Sequence, residues 1–412
     1  MLTFIRNIFI YVLALLVVFD SNVIYQYDYA LSGVYNKVWS VMVIIAMLGC
    51  VFSNKSISKH SIVKFVIVDF FILTWIAIHY MLRPYQITAD ALFYEKISIL
   101  LAYYFFVDCA NKTNNAFDDL LIAFKNIVTV IGAASVLFWG LATVLTFIPP
   151  TGQIYSTWSS DASPVPVRSW YNIYFETQNM DAFDMGNITR NTSIFTEGPM
   201  ASMCFCFALL INQFIDTKSP LICTVILIIS ILSTISATGY VFLLMIFIQK
   251  YISLLDYRKD KLKVILLPII FIVCGCIAFL VFDDKLDSSS LILRTDDYIV
   301  GFDAWSAEWL LGWGIGNHQA IVNYMDMWRV VNSFFGFSNG IFAVLVEGGL
   351  FIGGVYILSF IKGALQSKIN KDIVELTETI CVLYLFILSV ISVQTILLIF
   401  IFRLLVYKKR NA

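Results

Sequence analysis

Twelve apolar runs divide the chain, near residues 4–19, 38–53, 62–80, 97–110, 121–148, 198–216, 221–236, 240–256, 263–282, 338–361, 375–390 and 392–407. A helix rises 1.5 Å per residue, so about 20 apolar residues cross a hydrocarbon core roughly 30 Å thick. Inside that core every backbone group must be satisfied within the chain, which leaves helices as the economical solution. The runs therefore predict an all-α polytopic membrane protein with about 12 transmembrane helices, a single transmembrane domain over residues 1–412. Several runs are shorter than a straight span needs, and the last two can be one segment broken at Ser392-Val393-Gln394. Composition agrees: 60% of residues are hydrophobic and 13% charged, against about 25% charged in a soluble domain. A net charge of −1 with no basic patch argues against nucleic acid as a partner. Arg6 and the run behind it resemble a secretory signal, but no small-x-small site follows, so this segment reads as an uncleaved first span.

Charge between the runs predicts orientation. One alternating set of connections holds Lys55, Lys59 and Lys64; Lys112 and Lys125; Lys218; Arg258, Lys259, Lys261 and Lys263; Lys362, Lys368 and Lys371; and the tail Lys408-Lys409-Arg410. The other set is poor in Lys and Arg, with Asp283, Asp284 and Asp287 as its acidic example. Basic connections stay in the cytoplasm, so both termini are expected inside. All eight cysteines lie in or beside apolar runs, and no disulfide is expected. Cys204/Cys206 and Cys274/Cys276 point about 200° apart on a helix, a poor zinc arrangement. The histidines His60, His79 and His318 form no cluster with metal spacing, so neither metal nor cofactor is expected.

Two connections are long, residues 149–198 and 283–337, and both fall on the outer side. Short connections suit simple channels and most carriers; two large loops on one face point to work at the outer surface. The first loop is rich in aromatics, including Tyr155, Trp158, Trp170, Tyr171, Tyr174 and Phe175. Aromatic faces among polar side chains suit sugar rings, and equally suit an interfacial belt against lipid headgroups. Arg168, Trp170 and Tyr171 are its candidate substrate-binding residues. The loop re-enters the apolar region through Arg190-Asn-Thr-Ser-Ile-Phe-Thr-Glu-Gly-Pro199. Arginine suits a pyrophosphate, since its planar fork makes two charge-assisted bonds and stays ionised. The simpler reading is an Arg190–Glu197 ion pair capping the helix. In the second loop, Tyr298, Ile299, Phe302, Trp305 and Trp309 recur at helical spacing and predict an amphipathic helix along the outer interface. Thr295 would cap it, leaving Asp296 and Asp297 in its first turn; a metal or sugar site is the alternative. Gly312-Trp-Gly-Ile-Gly-Asn317 reads as a tight turn, and only weakly as a phosphate cradle. Glu347 within the tenth run, and Asp69 in the third, are intramembrane carboxylates and hence functional candidates. Asn339 opens the tenth run, and His318 lies in the second loop as a candidate for proton transfer or substrate contact.

Taken in order, these features resemble the bacterial O-antigen polymerases, within the O-antigen polymerase and ligase superfamily. The elements are Arg190 with Phe195-Thr-Glu197-Gly-Pro199, then Ser233-Thr-Ile-Ser-Ala-Thr-Gly239, then Arg294 before the amphipathic helix. Gly312-Trp-Gly-Ile-Gly-Asn317 and Ser338-Asn339 with Glu347-Gly348-Gly349 complete them. The resemblance implies a GT-C-like glycosyltransferase in the bacterial inner membrane, acting on undecaprenyl-pyrophosphate-linked oligosaccharide as donor and acceptor at the periplasmic face. It implies Arg190 and Arg294 as pyrophosphate contacts; by charge and position, Glu197 or Glu347 is the candidate to accept the proton of the attacking hydroxyl. Membrane lipid, a chain-length regulator and a flippase are the partners it implies. Ligases of this group commonly carry a histidine where this chain has Ser338, which favours the polymerase over the O-antigen ligase. A transporter or flippase for lipid-linked oligosaccharides is the alternative from another class; no internal repeat supports it.

Overall fold

The apolar runs that fall on described residues become helices in the computed structural model, which describes residues 2–54, 57–109, 116–158, 163–181, 187–218, 220–253, 289–389 and 391–406. Helices α1 (Leu2–Phe19), α2 (Ser32–Phe52), α3 (Lys59–Leu82), α4 (Ile87–Tyr103) and α5 (Asp118–Phe138) precede the first long loop. Its strands are β1 (Gly152–Ser156), β2 (Val165–Trp170), β3 (Tyr174–Glu176), β4 (Asn179–Asp181) and β5 (Asn187–Thr189). Helices α6 (Gly198–Phe214), α7 (Leu221–Ser233) and α8 (Ala237–Ser253) follow, then α9 (Ser289–Ala307), α10 (His318–Val322) and α11 (Met327–Val331) in the second loop. Helices α12 (Gly340–Asn370), α13 (Ile373–Ile387) and α14 (Thr395–Val406) close the described chain. Among the described residues, four helices, Ser32–Phe52, Lys59–Leu82, Asp118–Val144 and Gly340–Asn370, are long and apolar enough to cross a membrane, and five more apolar helices are shorter. The expected run 263–282, Lys55, Lys112, the charges at 258–263, Asp283, Asp284, Asp287, Cys274, Cys276 and the tail 408–410 lie outside the described residues.

Burial separates lipid-facing helices from core ones. On α3, Phe70 and Phe71 are 67% and 71% exposed, which water would not tolerate but lipid does. Helix α6 is the opposite: Ala201, Cys204, Phe205, Cys206, Phe207 and Ala208 are fully buried. Lipid offers helices little hydrophobic drive to associate, so close approach through small residues counts. Gly132 of α5 lies against Ser230 and Phe205, and Gly239 of α8 against Ser202 and Ile231.

Buried charges then tie helices that are distant in sequence. Lys96 pairs with Asp20 at 2.7 Å, and Asp20 also accepts from the Thr395 backbone N–H at 2.8 Å and hydroxyl at 2.6 Å. Arg403 binds Glu378 at 3.0 Å and also Asp118. Lys125 was expected in a cytoplasmic connection; it is instead 2% exposed inside α5, 2.7 Å from Asp216. Removing one partner of such a buried pair costs about 3–5 kcal/mol, since the other charge is left bare.

The first loop contributes β-structure that no apolar run announces. Strands β1, β2 and β3 form an antiparallel sheet in that order, and β4 pairs with β5. The β2–β3 turn passes through Tyr171 and Asn172 at φ 52 and 54. In the second loop, α9 begins at Ser289, so Thr295 sits inside the helix rather than capping it. Asp297, Val300 and Ala304 form its buried face, while Tyr298, Ile299 and Phe302 are exposed.

Helix α12 is broken at Gly349, where φ is 57 and ψ −161. Segment 309–316 lies along the break and satisfies its backbone. Trp313 N–H donates to the Val346 carbonyl at 2.8 Å and Gly314 N–H to the Glu347 carbonyl at 2.9 Å. In return, Leu350 and Phe351 N–H donate to the Trp309 and Leu310 carbonyls, each at 2.9 Å. A Cβ on Gly312 would meet Gly349 N and Val346 O at 2.6 Å. The glycines of this loop thus let two backbones touch, which explains Gly312-Trp-Gly-Ile-Gly as a docking element.

Candidate functional site where the two loops meet

Segment 190–198 is a buried irregular strap, so its polar groups need partners. Ile24 N–H donates to the Ile194 carbonyl at 2.9 Å, and Thr196 N–H to the Asn22 carbonyl at 3.1 Å. Asn191 donates to Ser233 Oγ at 2.9 Å and Ser135 Oγ at 3.2 Å, and its own oxygen accepts from Ser193 N–H at 3.1 Å. Thr192 donates to the Phe175 carbonyl at 2.6 Å. The strap is thereby fixed to the α1–α2 connection, β3 and the end of α7.

Arg190 is 8% exposed at the head of this strap. Its Nη1 donates to Gln178 Oε1 at 3.2 Å, and the same oxygen accepts from Gly198 N–H at 3.3 Å. The absence of a side chain on Gly198 lets the Arg190 stem lie against the start of α6, where a Cβ would meet its Cδ at 3.0 Å. Glu197 occupies the N-cap position of α6 and is half-buried. Burial pushes its carboxyl above the ordinary carboxylate range, opposed by the guanidiniums of Arg190 and of Arg294. Burial likewise lowers Arg190, with Glu197 opposing the shift and Arg294 adding to it. Arg294 stands on α9, so two guanidiniums from separate loops act on one carboxylate. Tyr27 faces the same carboxylate, and its phenol is pushed up to about 12 by burial and by Glu197. Tyr240 lies within the electrostatic reach of Arg190, and Tyr384 within that of Arg294. Tyr384 donates to the Thr238 carbonyl at 3.1 Å, which ties α13 to the start of α8. Such a group of cations, a carboxylate and phenols can hold a diphosphate and take a proton.

Arg190 and Arg294 each act electrostatically on Glu197; the other expected residues stand elsewhere. Glu347 sits at the α12 break and accepts from Gly316 N–H at 3.0 Å. Asn339 is 2% exposed and caps α12 by accepting from Phe342 N–H at 3.1 Å. His318 opens α10 and lies 3.2 Å from the Phe335 carbonyl. Trp170 is 2% exposed, bonded to the Ile148 carbonyl at 3.0 Å and packed with Tyr174 and Ala142. Tyr171 and Arg168 are exposed, the latter 3.9 Å from Glu176.

Sequence reasoning missed Gln178 and Tyr27, whose only signal is proximity in space. It also missed a second buried polar group. His79 and Asp90 lie 3.8 Å apart on α3 and α4 at 0% and 4% exposure, and Asp90 and Glu347 interact electrostatically. Asp69, flagged as intramembrane, accepts from Tyr94 at 2.7 Å. Comparison with known proteins gave no matching family model, no matching curated protein and no matching solved structure.

Proposed function

We propose that this chain is a membrane glycosyltransferase of the O-antigen polymerase type, joining polyprenyl-pyrophosphate-linked oligosaccharide repeat units at the periplasmic face of the bacterial inner membrane. The observation that carries this reading is the convergence of Arg190 and Arg294, from different loops, on Glu197. About twelve spans with both termini in the cytoplasm, as loop charge implies, put that convergence on the outer side. An acceptor hydroxyl attacks the anomeric carbon of a glycan held on a lipid pyrophosphate. The new glycosidic C–O bond forms as the anomeric C–O bond to phosphate breaks. The electron pair leaves with the polyprenyl pyrophosphate, and the hydroxyl proton passes to Glu197. Arg190 and Arg294 take up the charge that builds on the leaving oxygen, where fixed donors act without reorganising. The test is polymerisation of a defined polyprenyl-pyrophosphate repeat unit by purified protein, resolved as a ladder on a gel. Loss of the ladder in Arg190→Ala and Arg294→Ala supports the reading, and full-length ladders in both reject it.

The break in α12 supports a second reading, a transporter of lipid-linked oligosaccharides, because transporters often build their sites on discontinuous helices. Here segment 309–316 takes the freed hydrogen bonds at the break, which favours the enzyme. Transport of the lipid-linked unit across proteoliposomes with no new glycosidic bond would reverse the order.

A further inference from the structure

A cleft of about 290 Å³ opens between the α3–α4 corner, the glycine-rich loop and α10, lined by Tyr85, Trp313, Asn317, Gln319, Asn323 and Tyr324. Among the described residues, no carboxylate, lysine or arginine lines it. Three rings and three amides around one opening match the two faces of a pyranose: apolar C–H groups stack on rings, and hydroxyls bond to amides. The volume lies at the small end of the ~300–1,000 Å³ usual for ligand sites.

The walls are fixed before any ligand arrives. Trp313 is held by its indole N–H on the Ala304 carbonyl at 2.8 Å and its backbone N–H on the Val346 carbonyl at 2.8 Å. Gly314 lies against the Tyr85 stem and the Arg83 carbonyl, where a Cβ would meet them at 2.9 and 3.0 Å. Arg83 pairs with Glu308 at the end of α9, which pins the corner to the second loop. Asn317 is committed to the fold, donating to the Trp313 carbonyl at 3.0 Å and accepting from Ala320 N–H at 3.2 Å. Gln319 and Asn323 bond to each other at 3.1 Å. A primary amide carries two donors and an acceptor, so each retains hydrogen-bonding capacity toward the cleft. Tyr85 and Tyr324 are 41% and 37% exposed, large rings left open to a partner.

We propose that this cleft binds one neutral pyranose, hexose or N-acetylhexosamine, of a glycan. Resting on the polymerase reading, it is a subsite that steadies the oligosaccharide while Arg190 and Arg294 hold pyrophosphate. The uncharged lining selects against uronic acids, which would bury a carboxylate with no cation to meet it.

The experiment uses the full chain in nanodiscs and saturation-transfer NMR with methyl glycosides of glucose, galactose, rhamnose and N-acetylglucosamine, and with a methyl glucuronide. At least one neutral glycoside is expected to receive saturation, and the glucuronide none. Tyr324→Ala, and separately Gln319→Ala with Asn323→Ala, should weaken that binding about tenfold. Tyr29→Ala, an exposed ring in the α1–α2 connection, should leave it unchanged, and thermal melts confirm that each variant folds. No bound neutral glycoside, or binding indifferent to both cleft variants, overturns the proposal. The ladder assay run beside it separates the two readings: binding at the cleft without a ladder rejects the polymerase and keeps the subsite. A ladder of unchanged length and unchanged binding in the cleft variants rejects the subsite alone.

Discussion

Two arginine clusters share helix α9 and do opposite things with their charge. Arg329, fully buried, spends its donors on the protein: Nη1 on Asp296 at 2.7 Å and Asp297 at 2.9 Å, Nε on the Phe334 carbonyl at 3.1 Å, and Nη2 on the Gly336 carbonyl at 2.6 Å. Asp297 in turn accepts from Ser338 N–H at 2.8 Å and its hydroxyl at 2.6 Å. There, one cation meets two carboxylates. At the other cluster, among the described residues, two cations from separate loops act on one carboxylate. A saturated arginine with surplus acid is a clamp for the fold, and convergent guanidiniums around one acid suit an outside anion. Ser338 belongs to the clamp and holds α9 against the start of α12.

The largest effect should come from Arg329→Met. Buried Asp297 and half-buried Asp296 lose their cation, at a cost of about 3–5 kcal/mol, read as a fall in melting temperature. Arg294→Ala should melt like wild type; equal losses in the two variants would erase the distinction. Next comes Gly349→Ala. Its left-handed backbone and its contact with Leu310 O leave no room for a side chain, and such strain costs about 1–3 kcal/mol. Gly312→Ala should behave alike, and unchanged melts would show that segment 309–316 does not hold the α12 break.

The Glu197 carboxyl sharpens the comparison through pH. Burial raises it above the ordinary carboxylate range, and a base must be ionised to accept a proton. The rate should therefore fall as pH drops through that raised value, and Glu197→Gln should be slow and lack this acidic limb. An unchanged limb in Glu197→Gln would assign the titration to another group. The smallest effect belongs to Arg168→Ala. An exposed pair 3.9 Å from its partner is worth at most about 1 kcal/mol, so stability should not move. A raised KM in the ladder assay would mark Arg168 as a substrate contact.

Much of this was legible in sequence, though unevenly. Apolar runs carry span-like helices because lipid imposes length and composition together. Arg190 and Glu197 stood out as charges at the mouth of a run. Arg294 stands out only as the head of an amphipathic pattern, and nothing local tells that it acts electrostatically on Glu197. Asp296 and Asp297 looked like first-turn acids; Arg329, more than 30 residues on, supplies their reason. Lys125 was misassigned because helix ends are set by contacts such as Lys125–Asp216, invisible along the chain. The sheet of the first loop escaped because strands as short as β3, with three residues, carry too little alternation to register.

In the proposed reaction Arg190 and Arg294 jointly hold the pyrophosphate of a lipid-linked glycan. The direct measurement is single-turnover transfer from a defined polyprenyl-pyrophosphate repeat unit by wild type, Arg190→Ala, Arg294→Ala and the double variant in nanodiscs. The account predicts a loss of roughly 10²–10³ in rate for each single variant, with the double variant losing less than the product because the two act on one group. Wild-type rates in both single variants, with wild-type melting temperatures, would contradict it.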